Sequence, residues 1–432
     1  MERKVMERLV AWHEKGKDRK PLILDGARQV GKTYVLREFG LRYFKNTIYV
    51  NFETNLTVAS YFEKDISPER IIRFLESTYN EAIIPGQTLI IFDEIQACER
   101  ALTSLKYFCE DANEYHIAAA GSLLGVAINR EKYSFPVGKV ETITLKPLDI
   151  EEFLLAVGRD KLVVEIKEAF ITNIPLPEGL HFAALELYRL YLIIGGMPAA
   201  VLKYLETGKL IEIADIQNGI LNDYIADMAK YSSNTESVKI RAAYNSIPSQ
   251  LAKENKKFQY KLAQKGGTAV IFGAAIEWLC FSGIVMKCQK IEQGLMPIAV
   301  YADLSSFKLY LGDVGILSMK SGIAHQTILS DMEINNTFIG AVAENYVAQA
   351  LSTKGHPLYY WESQSIAEID FVIQLDEKVI PIEVKSGVRT RSKSLSVYRE
   401  KYNPEYCIRI SAKNFGFENG IKSVPLYAVF LI

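Results

Sequence analysis

Gly26-Ala27-Arg28-Gln29-Val30-Gly31-Lys32-Thr33 fits the spacing G-x-x-x-x-G-K-[ST]. A loop of this kind wraps closely around phosphates. Its backbone N–H groups face the anion, and a side chain at Gly26 or Gly31 would obstruct the approach. The helix opening at its end points the positive end of its dipole at the same anion. Lys32 is expected to reach the β- and γ-phosphates of ATP, with the Thr33 hydroxyl a ligand of Mg2+. Sixty residues after Thr33, the apolar run Leu89–Phe92 ends in Asp93-Glu94. Asp93 is expected to hold the magnesium, directly or through water, and Glu94 to orient and deprotonate the attacking water. A glutamate there favours hydrolysis over binding alone. Ser122, at the end of a later apolar run, is placed to sense the γ-phosphate. Arg130 and Lys139 are candidate cations acting in trans.

A second constellation lies near the C-terminus. Asp370, twelve intervening residues, then Glu383-Val384-Lys385 fits D-x(n)-E-x-K. Alternation along a strand puts Glu383 and Lys385 on one face. If the strands on either side of Asp376–Lys378 form a hairpin, Asp370 comes near Glu383. Two such carboxylates with a lysine can bind Mg2+ and set a water against a phosphodiester. Glu344, on a preceding helical stretch, offers a third carboxylate. The alternative is the polar face of a half-exposed sheet. His356 has no partner motif and reads as structural, and Tyr359–Trp361 reads as packing rather than base stacking.

These residues need elements to hold them. Apolar or β-branched runs at Pro21–Asp25, Thr47–Glu53, Thr88–Glu94, His116–Ser122 and Glu141–Leu145 read as buried strands. Helical stretches between them predict a parallel sheet covered on both faces. Residues 1–19 read as an amphipathic helix with Val5, Leu9 and Trp12 on one side. Ser67, Pro68 and Glu69 predict a capped helix start. From about Asp149 the chain reads as mostly helical, with a break at Gly195–Gly196. Helical spacing places Ile271, Ala275, Trp278 and Leu279 on one face. Strands are expected at Pro357–Glu362, Glu368–Leu375, Val379–Lys385, Tyr406–Ser411 and Pro425–Leu431, with helices at Phe338–Leu351 and about Lys393–Tyr402.

Lys plus Arg total 50 and Asp plus Glu 51, so the overall charge neither indicates nor excludes a nucleic-acid partner. The five cysteines show no C-x-x-C spacing and do not cluster with the five histidines, which argues against a zinc site or a disulfide framework. The charged N-terminus lacks the apolar core of a signal peptide, and Glu277 interrupts the longest apolar stretch, Thr268–Lys287. A cytoplasmic chain with no membrane partner is expected.

The runs LDGARQVGKT, LIIFDEIQ, AAAGSLLG, TLKPLDIEEF, YLIIGGMPAAV, FKLYLGDVGIL, GAVAENYV and AEIDFVIQLDEKVIPIEVKSG, in this order, resemble a widespread family of prokaryotic AAA-type ATPases with an uncharacterised C-terminal region. The resemblance implies an α/β P-loop domain over 1–150, a helical region over 151–240, a winged-helix-like domain over 241–325 and a nuclease-like domain over 326–432, the last similar to the PD-(D/E)xK restriction-endonuclease fold. It carries Lys32, Thr33, Asp93 and Glu94 as ATPase residues and Glu344, Asp370, Glu383 and Lys385 as nuclease-type residues. Ser249–Phe258, with Lys253, Lys256 and Lys257, is the helix-turn-helix-like part. Where many relatives have Gly-Arg, this chain has Gly138–Lys139, which keeps a charge but loses the planar fork. ATP and Mg2+ are the implied cofactors; DNA or another nucleic acid and further copies of the chain are candidate partners. Two readings stay open. One is an ATPase driving a nucleolytic C-terminal domain. The other is an ATP-gated switch whose nuclease-like domain is catalytically silent.

Overall fold

The computed structural model describes residues 1–122, 135–230, 232–329, 337–363, 367–388 and 393–432. The chain divides into two compact units, Met1–Lys146 with Phe281–Gly283, and Pro147–Cys280 with Ile284–Ile432.

The first unit is built on β1 (Leu22–Asp25), β2 (Asn46–Asn51), β3 (Thr88–Asp93), β4 (His116–Ala120) and β5 (Glu141–Thr144). They form a five-stranded sheet in the order β2-β3-β4-β1-β5. Every neighbouring pair is parallel, as the alternation of strands and helices requires. The apolar runs are continuous because both faces are covered. Ile23, Ile48, Val50, Ile90, Phe92 and Ile117 join one core with Val58, Phe62, Ile71, Leu75, Leu105 and Phe108 from the helices Leu56–Lys64, Pro68–Tyr79 and Glu99–Asp111. The alternate residues Leu22, Leu24, Leu89 and Ile91 are also fully buried. The Lys32–Tyr43 helix packs on β2, β3 and β4. Val5, Leu9 and Trp12 are buried on one side of the Val5–His13 helix, as their spacing implies. With all strands running one way, their C-terminal ends share an edge, where parallel sheets place ligands.

One helix start differs from its expectation. Pro68 does open the helix, but the Ser67 side chain makes no capping bond. The Asp65 carboxylate takes the Ser67 N–H instead, at 2.9 Å. The preceding acid forms the turn before the serine can cap it.

The second unit holds an eight-stranded mixed sheet in the order β12-β13-β11-β10-β9-β8-β6-β7. Its strands are β6 (Val285–Ile291), β7 (Ala302–Leu311), β8 (Tyr359–Ser363), β9 (Ala367–Leu375), β10 (Lys378–Val384), β11 (Cys407–Ser411), β12 (Gly416–Glu418) and β13 (Ile421–Pro425). The β6–β7 hairpin is part of this sheet because β6 pairs with β8 in parallel. The divisions drawn at 240/241 and 325/326 therefore fall inside one compact unit. The helical stretch after Asp149 comprises Ile150–Ala156, Asp160–Thr172, Glu178–Ile194, Pro198–Thr207 and Leu210–Lys230, with the break at Gly195–Gly196.

Two local expectations are corrected. Leu426–Leu431 is a 3-10 helix rather than a strand; β13 ends at Pro425, which has no N–H to carry the ladder on. On the Ala269–Phe281 helix, Ile271 is partly exposed while Phe272, Ala275, Ile276, Trp278 and Leu279 are buried, so the core face lies one residue further on. Among the described residues no single helix is long and apolar enough to cross a membrane.

Candidate functional site

The glycine-rich loop joins β1 to the Lys32–Tyr43 helix. Gly26 has φ +149° and Gly31 has φ +94°, both outside the range that other residues adopt readily. A Cβ on Gly26 would lie 2.2 Å from the Leu145 carbonyl oxygen. The loop is thus pressed against the chain leaving β5, a reason for glycine that is independent of phosphate. Replacing Gly26 by Ala is expected to destabilise the unit by about 1–3 kcal/mol through forced displacement of that backbone. A urea melt checks this; a midpoint within error of the parent would show that the loop relaxes freely.

Lys32 is buried, and its Nζ donates to the carbonyls of Gly26 and Ala27, each at 2.8 Å. Burial pulls its pKa down to about 8, against the opposing pull of Glu94, Asp25 and Asp93. Thr33 Oγ1 donates to Asp93 Oδ2 at 2.8 Å. The hydroxyl and carboxylate expected to share Mg2+ are therefore already together, and both are hard oxygen ligands of the kind that cation takes. Asp93 Oδ1 accepts the Glu94 N–H at 3.1 Å.

Glu94 sits just beyond β3 with φ +50°, a left-handed conformation that a glutamate adopts only when its surroundings impose it. Its carboxylate accepts from Gln96 Nε2 at 2.5 Å and from Ser122 Oγ at 3.3 Å. Ser122, two residues past the end of β4, thus faces the same acid. Arg28 and Gln29 complete the loop between Ala27 and Val30, with Gln29 at φ +65°. The expected ATPase set converges at the C-terminal edge of the sheet.

Two participants went unnoticed in the sequence. Tyr49 on β2 donates its hydroxyl to Asp93 Oδ2 at 2.6 Å, and Arg37 lies 4.0 Å from the Tyr49 ring centroid. Gln96 braces Glu94. The signal for Gln96 lay in the run LIIFDEIQ. Tyr49 could be found only once β2 was known to pair with β3, Tyr49 opposite Ile91. Of the two candidate trans cations, Lys139 pairs with Glu110 at 2.8 Å, and Arg130 lies outside the described residues.

The C-terminal residues come together differently from their expectation. β9 and β10 do pair antiparallel around Asp376 and Glu377, with Ile382 opposite Phe371. Beyond that pair the Asp370 carboxylate accepts the Val384 N–H at 2.8 Å. The Glu383 carboxylate is engaged by Arg409 Nε of β11 at 3.3 Å and by Lys385 Nζ at 3.4 Å. Asp370 instead groups with Glu344 and Glu368, whose carboxylate oxygens all lie within 4.8 Å of one another. Two ammonium groups share that cluster. Lys308 Nζ, fully buried on β7, meets Glu344 at 3.0 Å and Glu368 at 2.5 Å. Lys256 pairs with Glu344, which also accepts from the Tyr310 hydroxyl. Burial works against charge on Glu344, but Lys256 and Lys308 outweigh it and hold the acid down to about 2. Asp370 is pushed up to about 6 by burial and by Glu344. Lys256, in the helix-turn-helix-like part, is turned inward because a buried carboxylate draws it there. Trp361 is buried against Tyr398 and Tyr402, consistent with packing.

Residues 18–154 match the family profile of an AAA domain. Residues 185–327 match a domain of unknown function (DUF8612), and residues 339–429 another (DUF4143). A 91-residue stretch, 21% of this chain, is 33% identical to uncharacterized proteins of Mycobacterium bovis and Mycobacterium tuberculosis. It takes in only 19% of each relative's length. Among solved structures, a Walker-type ATPase of Pyrococcus abyssi aligns over 74% of this chain and 95% of its own, at 16% identity and a TM-score of 0.44. The ORC2 protein of Aeropyrum pernix aligns over 79% and 94%, at 11% identity and a TM-score of 0.39. On the profile match and the loop motif, residues 18–154 are an AAA domain with a P-loop.

Proposed function

We propose that the chain hydrolyses ATP with Mg2+ and acts as an ATP-gated switch, with a C-terminal unit that does not cut nucleic acid. The observation that carries the first part is the connected set Thr33–Asp93–Glu94–Ser122 at the end of β3, beside the buried Lys32. Lys32 and the loop N–H groups would hold the phosphates, and Thr33 and Asp93 the cation. When bound, the cation offsets charge on the transferring phosphoryl group. Glu94 takes a proton from water as its oxygen bonds to the γ-phosphorus. The bond to the bridging oxygen breaks, and ADP leaves. Gln96 and Ser122 keep that carboxylate in place, and Tyr49 orients Asp93.

The second part rests on the C-terminal charges. Cleavage of a phosphodiester by this type of site needs Asp370 and Glu383 on one cation with Lys385 beside it. Glu383 is instead held by Arg409 and Lys385, and the acids around Asp370 are neutralised by two lysines. The test is a paired assay on the full chain: phosphate release from ATP with and without Mg2+, and cleavage of labelled single- and double-stranded DNA and RNA with Mg2+ or Mn2+, with and without ATP. Mg2+-dependent phosphate release without strand cleavage is expected. Cleavage that disappears in Lys385→Ala would overturn the silent C-terminal unit; absent phosphate release would overturn the ATPase.

A further inference from the structure

Arg3 lies outside the loop motif, is 8% exposed, and forks its guanidinium between two backbone carbonyls. Nη1 donates to the Val30 carbonyl at 3.1 Å and Nη2 to the Lys146 carbonyl at 2.6 Å. Val30 immediately precedes Gly31 in the glycine-rich loop, and Lys146 lies two residues past β5. All three residues belong to the first unit. The Leu145 N–H donates to the Asp25 carbonyl at 2.7 Å, and Gly26 is pressed against Leu145. The chain leaving β5 therefore braces the loop twice, directly at Gly26 and through Arg3 at Val30.

Arg3 is itself held. The Met6 N–H donates to its carbonyl at 3.0 Å, just ahead of the Val5–His13 helix. Trp12 of that helix donates its Nε1 proton to the Lys20 carbonyl at 2.8 Å. The Trp12 ring lies 6.2 Å from the ring of Phe39, on the Lys32–Tyr43 helix. At the far end, His13 Nδ1 and His116 Nε2 of β4 are 3.1 Å apart. The helix is tied to the sheet and to the helix that follows the loop, so the guanidinium reaches Val30 with little freedom.

The brace matters because of what the loop lacks. Gly31 has φ +94° and no Cβ, so the peptide joining Val30 to Gly31 can turn over at low cost. A trans peptide is planar, with its C=O and N–H pointing opposite ways. Fixing the Val30 carbonyl on Arg3 therefore fixes the Gly31 N–H, directed away from the guanidinium. A charged donor on that carbonyl also polarises the peptide and strengthens its N–H as a donor. Arginine suits the place because its planar fork reaches carbonyls on two separate segments at once.

We propose that Arg3 is a positioning residue of the nucleotide site, holding the Val30–Gly31 peptide so that the Gly31 N–H is presented to the phosphates. The inference rests on the nucleotide-binding reading above and adds to it a residue from outside the motif.

The test compares the parent, Arg3→Ala and Arg3→Lys as full chains. Binding of ADP and of pyrophosphate is read by displacement of a fluorescent ADP, and KM and kcat are measured for ATP. Arg3→Ala is expected to weaken ADP and pyrophosphate alike by about tenfold, the scale of one hydrogen bond to a charged group. The loss should appear in KM and not in kcat, since a loop amide serves ground and transition states equally. Methylguanidinium, too dilute to unfold the chain, should restore most of the ADP affinity of Arg3→Ala and leave the parent unchanged. A general loss of stability would not respond in that way. Arg3→Lys keeps the charge and loses the fork; it should weaken both ligands about threefold, and it decides the matter if Arg3→Ala does not fold. Affinities equal to the parent's, ADP weakened with pyrophosphate unchanged, or a loss confined to kcat or unmoved by methylguanidinium would overturn the role of Arg3. A parent that does not bind ADP would overturn the nucleotide-binding reading itself, so the two failures are told apart.

Discussion

Glu94→Gln should bind ATP as the parent does and lose at least about a hundredfold in kcat, the scale at which a positioned base acts. Lys32→Ala should lose nucleotide binding itself. The difference follows from where each group sits. Lys32 is the buried cation of the loop, bonded to Gly26 and Ala27. Removing it takes the buried cation away from the phosphates and leaves Glu94, Asp25 and Asp93, the acids that act on it, uncompensated by it. Glu94 stands one residue past the end of β3, and the change to Gln is nearly isosteric. Its amide oxygen can still accept from Ser122, so the site keeps its shape and loses only a proton acceptor. A fluorescent nucleotide measures binding and coupled phosphate release measures turnover, on the same samples. Hydrolysis by Glu94→Gln at the parent rate would remove Glu94 from the role of base. Loss of binding in that variant would mean the acid holds the site together instead.

Much of the first unit could be read from sequence because its signals are local. Each strand is a short apolar run with both faces covered, and the loop motif ties backbone conformation to residue type at Gly26 and Gly31. The ends of those strands then had to share an edge, which brought Thr33, Asp93, Glu94 and Ser122 together. Tyr49 was hidden because its role depends on which strand β2 pairs with, and strand order is a long-range property. The C-terminal acids show the same limit more sharply. Spacing and alternation brought Asp370 near Glu383 if a hairpin formed, and the hairpin exists. Spacing carries no information about Arg409, a strand away, which engages Glu383, nor about Lys308 and Lys256, which reach Glu344 from β7 and from the segment after Leu251. A charged partner from a distant part of the chain redirects a carboxylate more strongly than its own strand's alternation does, because an unpaired buried charge is so costly. Lys256 turns inward to Glu344 for that reason.

Lys308→Met should destabilise the second unit by about 3–5 kcal/mol, because breaking a buried pair from one side leaves its partners uncompensated. Lys308 is 1% exposed and touches both Glu344 and Glu368, and the cluster also contains Asp370. Without it, Lys256 is the one ammonium group left in the cluster among the described residues. Urea unfolding followed by tyrosine and tryptophan fluorescence reads the change. The double variant Lys308→Met with Glu344→Gln should recover part of the loss, since the buried charge and its missing partner go together; strictly additive losses would show that the two do not interact. Asp370→Asn supplies an opposite sign. Burial and Glu344 raise Asp370 from 3.8 to about 6, so the native state favours its neutral form. The stability from that preference is complete below pH 3.8 and is lost as pH rises through about 6. Asparagine is neutral throughout and still accepts the Val384 N–H. The variant should therefore match the parent at low pH and exceed it above pH 6. Were Asp370 instead a ligand awaiting a divalent cation, saturating Mn2+ would stabilise the parent and not Asp370→Asn, reversing that order at high pH. Mn2+ without effect on the parent's midpoint is the outcome that the two lysines imply, because the ammonium groups already offset the charge that would attract the cation.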